Sequence, residues 1–375
     1  MKTFLWSIGV LIVLVALLFA IQFIFPAHGP SQAPVGVTTY DALLSDNPAF
    51  AQADALYAAG NVAGAESELN SALQNAHTPE EAGQIQIKLA TVIENGFSDP
   101  TTALNAIPLL KQIAANTSYS PIIRASAIQE MGVAFYNTGD KRFTDAIFSN
   151  DALYSTMFVS GDTDLSYRHL FQYAASIYPL AYSELRIAKW YSGRIYESAQ
   201  AASSNSAAHL SADQVSSYKD MIRQEIAAAH TDEQRIQNDP HQNRIIPALI
   251  QNEAILIGRM QSIGDDSFGD AEPLFQRALS LEAAAKPPLS DGFTRYYYAA
   301  FLAQRYGTSR ASDVQNILAP FYTSDAYQGT AAVREFGSER NNILGDKPNL
   351  QLLASVDPKF KAYLISLGWT ASDFK

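Results

Sequence analysis

The sequence predicts an all-α protein: a single N-terminal transmembrane helix followed by an α-α superhelix of helical hairpins. Three observations predict it. An apolar run from Phe4 to Phe25 opens the chain. From Tyr40 onward, alanine-rich segments with apolar residues at i, i+3, i+4 and i+7 alternate with short Gly, Asp, Asn or Pro breaks, and alternating Val- and Thr-rich runs are nearly absent. An octamer pattern, G-D-x-x-F-x-D-A, occurs at both 139–146 and 264–271, which marks internal repetition.

The first element, residues 1–25, is the membrane anchor. Only Ser7, Gly9 and Gln22 interrupt its apolar character. As a helix, Phe4–Phe25 is about 33 Å long, enough to cross a hydrocarbon core of roughly 30 Å. A cleaved signal peptide is the competing reading. Ser31-Gln32-Ala33 has the small-x-small look of a cleavage site, but Pro34 follows it, and the run exceeds the ~7–15 apolar residues of such signals. Lys2 precedes the span, the next Lys or Arg is Lys88, and seven acids lie between them. Positive charge stays on the cytoplasmic side, so the N-terminus is expected inside. The chain reads as a single-pass membrane protein, tethered through residues 4–25, with its large domain extracytoplasmic. Residues 26–39 carry Pro26, Pro30 and Pro34 with Gly29 and Gly36, a linker that no helical periodicity survives.

Composition narrows the function classes. The 26 Lys+Arg against 37 Asp+Glu give a net charge of −11, and the chain has no cysteine. The acidic balance argues against a nucleic-acid binder, which needs clustered Lys and Arg to displace counterions. Without cysteine there is no disulfide framework, thiolate metal site, cysteine nucleophile or lipidated cysteine, so tethering falls to the apolar span. An apolar fraction of 47% is enough to bury a real core. The remaining chain divides into a helical-repeat domain at 40–323 and a C-terminal helical cap at 324–375, where Leu350–Leu353 and Phe360–Leu367 supply apolar faces.

The repeat units can be read residue by residue. Gly60-Asn61 forms a turn after a helix ending at Ala55-Leu56-Tyr57, and Ala65, Leu69, Ala72 and Leu73 then share one helical face. A second unit runs from Met131-Gly132-Val133-Ala134-Phe135-Tyr136 through Gly139-Asp140 to Phe143 and Ala146. A third starts at Gly264-Asp265 and continues through Ala271, Phe275, Ala278 and Leu279. Small residues let two antiparallel helices approach closely, and aromatics fill the gap to the next pair. One pair cannot bury its face alone, so pairs stack.

These residues resemble the tetratricopeptide repeat. Gly60, Asn61, Ala65, Leu69, Ala72 and Leu73 match its register, as do Gly132, Phe135, Tyr136, Gly139 and Asp140, and again Ala271, Phe275, Ala278 and Leu279. The turns at 139–146 and 264–271 are each two residues longer than the family spacing. The unit around Gly96, Ala103, Ile107 and Leu110 is degenerate, and Asp162–Gln251 has helical texture without a readable repeat. The likeness covers about half of the exported domain. It implies TPR-like hairpins in a superhelix whose inner groove, lined by first-helix positions, binds a protein or peptide partner in the cell envelope. Carried onto this chain, those positions are Asp54 and Tyr57 in the first unit and Ser126, Gln129, Val133, Tyr136 and Asn137 in the best-registered one.

Catalytic and metal chemistry has little purchase. His28, His77, His169, His209, His230 and His241 are scattered, with no H-E-x-x-H and no i, i+4 pair. Asp265, Asp266 and Asp270 lack the EF-hand order and its closing Glu, and read as turn and N-cap residues. No metal and no cofactor are expected. Ser216-Ser217-Tyr218-Lys219 and Ser45-Asp46-Asn47 echo penicillin-binding signatures, but in the wrong order, without K-T-G and without strands to carry them. Glu130, Glu184, Glu197 and Glu253 lie on helices in no recognisable catalytic setting, so no catalytic residue is assigned and no enzyme is expected. The alternative is a glycan-binding or cell-wall-processing envelope protein whose tyrosines stack on sugar rings. The candidate tyrosines are the 154–196 set (Tyr154, Tyr167, Tyr173, Tyr178, Tyr182, Tyr191, Tyr196) and Tyr296-Tyr297-Tyr298. Packing of those rings between helices is the plainer reading.

Overall fold

Capping chemistry places the helix ends. Asn47 Oδ1 accepts a hydrogen bond from the Ala49 amide at 3.0 Å and starts the first described helix, α1 (Pro48–Ala58). Gly60 then adopts φ +79°, a left-handed conformation that glycine enters without a Cβ penalty. Asn61 Oδ1 accepts from the Gly64 amide at 2.9 Å, which opens α2 (Val62–Gln74). The Gly-Asn pair therefore ends one helix and begins the next, as its place in the repeat requires.

The computed structural model describes residues 47–94, 104–138, 168–202, 209–236, 245–285, 291–324, 327 and 346–374, without the side chains of Ala58, Asn137, Thr138, Ala202 and Arg235. The expected span, the linker and the first copy of the octamer lie outside the described residues. Among the described residues no helix is long and apolar enough to cross a membrane. These residues carry fourteen α-helices and no strand, so the all-α class holds. After α1 and α2 come α3 (Pro79–Glu94), α4 (Ile107–Ala115), α5 (Pro121–Thr138), α6 (Arg168–Ile177) and α7 (Ala181–Ala202). They are followed by α8 (Ala212–Ile236), α9 (Ile246–Ser262), α10 (Ala271–Ala284), α11 (Gly292–Tyr306) and α12 (Ala311–Thr323). The last two are α13 (Lys347–Val356) and α14 (Pro358–Ser366).

Each helix packs on its successor, except that α8 packs on α7 and not along α9, and the odd-numbered helices also pack on one another. α1 meets α3, α3 meets α5, α7 meets α9, α9 meets α11 and α11 meets α13. The link between α5 and α7 is a buried hydrogen bond, Ser183 Oγ donating to Gln129 Oε1 at 3.0 Å. Hairpins stacked through one shared layer are compatible with a helical-repeat fold. The apolar interior follows the stack. Phe50, Ala65, Leu69, Ile85 and Val92 fill its start, and Leu110, Ile123, Phe135 and Tyr173 the next section. A long core then runs from Phe171 to Trp369. At the far end Phe360 packs 5.6 Å from Phe321, and the Tyr363 hydroxyl donates to the Tyr327 carbonyl at 3.2 Å.

Gly132 shows why a small residue belongs on α5. A Cβ built there would lie 2.9 Å from Phe171 Cζ, inside van der Waals contact. Gly193 on α7 is different, since its Cβ would meet only the Arg259 Nη1 atom at 3.5 Å. Gly132→Val is expected to lower stability by about 1–3 kcal/mol through overpacking. Gly193→Ala should raise it by up to about 1 kcal/mol, because a helical glycine costs backbone entropy. Denaturant midpoints of the two variants measure both effects, and a tolerated valine at 132 would contradict the packing.

Candidate functional site

Among the described residues, a run of buried polar side chains lies inside the stack on α7. A helix buried on almost every side usually carries apolar residues alone, yet α7 buries Ser183, Glu184, Arg186, Lys189 and Ser192. Aromatic faces accommodate the cations. The Arg186 guanidinium sits 3.9 Å from the Tyr136 ring centroid and 5.4 Å from Tyr182. Arg168, at the start of α6, lies 4.3 Å from the Trp190 centroid and donates to the Tyr191 hydroxyl at 3.0 Å. Lys189 is 4% exposed and sits 5.5–5.6 Å from the rings of Tyr136, Phe293 and Tyr297. Its ammonium also donates to Asn252 Oδ1 at 3.3 Å. Ring quadrupoles and amide oxygens stand in for water around these side chains.

Glu130 is the matching acid. It is 2% exposed, and burial pushes its carboxyl up to about 7 against the opposing pull of the Gln129 hydrogen bond and the Arg186 charge. A second buried chain runs through the next hairpin. Gln251 Nε2 donates to Thr294 Oγ1, which donates to Glu282 Oε1 at 2.6 Å and ties α9, α11 and α10 together. Sequence reasoning passed over Arg168, Arg186, Lys189 and Asn252. The signal that marks Arg186 is the i, i+4 alternation of Tyr182, Arg186, Trp190 and Arg194 along α7, aromatic and cation by turns, whereas nothing in the local sequence marks Arg168, Lys189 or Asn252.

The expected groove positions fall into two groups. Asp54 and Tyr57 lie on α1, and Asp54 pairs with Lys88 of α3 at 2.5 Å. Tyr57 is half-buried, and burial followed by the nearby Glu94 carboxylate holds its hydroxyl well above the ordinary range, so it stays a neutral donor. Val133 and Tyr136 of α5 are half-buried. Ser126 and Gln129 differ, at 1% and 0% exposure, because the face of α5 that carries them is covered by Ser183 of α7. Gln129 ties α5 to α7, and neither residue lines an open surface. The side chain of Asn137 lies outside the described residues.

The 264–271 turn is a clamp between helices. Gly264 and Gly269 take φ +88° and +110°, and Asp270 caps α10 by accepting from the Glu272 amide at 3.1 Å. Asp265 pairs with Lys219 of α8 at 2.7 Å, and Arg305 of α11 reaches both Asp266 oxygens at 2.9 and 3.0 Å. Burial pushes the Asp265 carboxyl up, but the Lys219 ammonium and the Ser267 hydrogen bonds outweigh it and hold the group below its usual value. These aspartates are already neutralised by cations from two helices. Among the described residues no cluster of His, Asp and Glu could hold a metal ion.

The tyrosines proposed as sugar platforms are largely internal. Tyr296 is fully buried and donates to Asp346 Oδ2 at 2.9 Å. Tyr298 stacks on Phe275 at 5.2 Å and donates to Glu272 Oε1 at 2.9 Å. Tyr173 and Tyr191 are buried, and Tyr154 and Tyr167 lie outside the described residues. Among the helix glutamates, Glu184 and Glu253 are buried, and Glu197 pairs with Arg194 at 2.9 Å on the surface. Lys219 of the S-x-x-K run is spent on Asp265.

Burial raises the Glu130 carboxyl above its ordinary value of 4.5, which favours the neutral acid in the folded state. Its contribution to stability is therefore complete below about 4.5 and lost as pH rises through about 7. Thermal unfolding should show a higher Tm at pH 6 than at pH 8. Glu130→Gln should remove about 1 kcal/mol of that difference. A pH dependence untouched by the substitution would show that Glu130 is not its source. No protein-family model matches the chain, and no curated protein or solved structure is significantly similar to it.

Proposed function

We propose that this chain is a membrane-anchored, extracytoplasmic scaffold of tetratricopeptide-like hairpins that holds a protein or peptide partner. The observation that carries the reading is the shared layer of odd-numbered helices, α1 to α5 and α7 to α13, joined by the buried Ser183–Gln129 bond. The α7–α13 part of this layer is interior, whereas α1 and α3 keep exposed and half-buried residues along their length, a surface suited to a partner in extended conformation. The register of Gly60, Asn61, Ala65 and Leu69 on α1–α2, and of Gly132, Phe135 and Tyr136 on α5, supports the family likeness. The apolar Phe4–Phe25 run and the positive charge ahead of it support the tether and its orientation.

Within this reading the contact residues divide by exposure. Asp54, Tyr57, Val133 and Tyr136 face the partner with the parts left exposed, one face of the Tyr136 ring being taken by Arg186, while Gln129 holds α5 in place from beneath. The Asp54–Lys88 pair has an exposed carboxylate, and such pairs hold with little energy, so either charge can exchange its mate for one on a partner. Tyr57 supplies a neutral hydroxyl and a ring edge, a combination suited to peptide backbone and apolar side chains.

Two measurements test the proposal. Protease added to spheroplasts should digest the large domain and leave the N-terminal segment; full protection of the domain contradicts export. A photoreactive residue at position 57 or 136 should crosslink to a discrete partner in intact cells, and one at Ser217 on the solvent face of α8 should not. Crosslinking from position 136 should be lost when Asp54 and Tyr57 are both changed to alanine. Equal patterns from 57 and 217 would remove the groove assignment.

A further inference from the structure

Helix α8 differs from its neighbours in how it is held. It lies on α7 through Ile222, Ala229 and Ile236, and most of its other residues are exposed. Its N-terminal half is clamped by the Lys219–Asp265 pair. Its C-terminal half meets α9 through charge: His230 Nε2 lies 2.9 Å from Glu253 Oε1. The Glu253 carboxylate is 8% exposed, while the imidazole is 47% exposed.

Every group around this contact bears on its charge balance. One turn along α8, Glu233 faces both Glu253 and His230, and Arg277 of α10 faces Glu233. The next acid on α8, Asp232, is buried. On the α7 side, Ile236 shares a small gap with Leu180, Ala181 and Tyr182, among which the Tyr182 phenol is the titratable group. With His230 charged, the cluster places one imidazolium between two carboxyls. With His230 neutral, Glu233 and Glu253 confront each other across the helix interface in a half-buried setting, where like charges repel strongly.

We propose that α8 is a pH-governed strap: the His230–Glu253–Glu233 cluster fastens its C-terminal half to α9 at mildly acidic pH and releases it as pH rises past neutrality. The direction is the same for each group. The hydrogen bond to Glu253 raises the imidazole above its ordinary value, so the bridge is complete below about 6.5 and lost as pH rises through the higher folded value. Burial and the Glu253 charge raise Glu233, and burial alone raises Glu225, earlier on α8, to about 7. Both favour the docked helix when protonated and oppose it when ionised. Asp265, which pairs with Lys219, is held below its usual value, so its carboxylate keeps the N-terminal half in place across this window.

Hydrogen exchange of the full chain at pH 6 and pH 8, corrected for intrinsic amide rates, tests the proposal. Protection of residues 225–236 should fall about tenfold more than that of α11 between the two conditions. Glu233→Gln, a change at a partly exposed site, should shrink this difference, and His230→Gln should leave the segment poorly protected at both pH values. Equal protection at the two pH values overturns the strap. So does a loss shared equally by α11, or a pH response unchanged in Glu233→Gln.

Discussion

A lysine without water has to be housed, and the way Lys189 is housed sets the register of the stack. Leaving an ammonium unpaired in a low-dielectric interior costs several kcal/mol or more. Here the charge meets Tyr136 from α5, Asn252 from α9, and Phe293 and Tyr297 from α11. Those helices must approach α7 together, because a shift of one turn in any of them would strip away part of the cage. Arg259 of α9 adds a backbone tie by donating to the Lys189 carbonyl at 3.2 Å. Apolar contacts supply most of the burial energy but tolerate sliding, whereas the housed cation does not.

The charges of this protein therefore act on two levels. Exposed pairs such as Arg194–Glu197 and Arg223–Asp220 link residues one turn apart on a single helix and contribute little. Buried or bridging groups join different helices. Arg310 holds the Glu272 carboxylate through both guanidinium nitrogens at 2.7 and 2.9 Å and keeps it below the usual range. Glu130 and Glu225 are shifted the other way, up to about 7, and Glu233 and His230 are raised as well. The stack thus has acid-resistant clamps at its turns and pH-responsive contacts in its middle.

Local features of the fold were legible in the sequence wherever one residue type answers one local need. Gly60 and Gly264 were readable because a left-handed turn selects glycine, and Asn61 and Asp270 because an N-cap needs a short oxygen-bearing side chain. Gly132 was readable because its place beside aromatics implies close approach, here to Phe171. The stretch Asp162–Gln251 resisted because repeat signatures rest on apolar residues at fixed positions. In α7 many buried positions are Ser, Glu, Arg or Lys, which a periodicity reading assigns to solvent. Gln129 and Ser126 were expected on a groove because the family register places first-helix positions there, and only the packed helices show both to be covered.

By itself the sequence determined the helical class, the turn residues, the small-residue contacts and the apolar run at the N-terminus. Each follows from interactions within a few residues along the chain. Tertiary structure decided which polar groups are inside. Whether Gln129 faces a partner or Ser183, whether Tyr296 meets a sugar or Asp346, and whether Asp265 waits for a cation or already holds Lys219, depends on residues 46 to 54 positions away. Contacts of that range carry no periodic trace, because the same polar side chain satisfies either environment equally well.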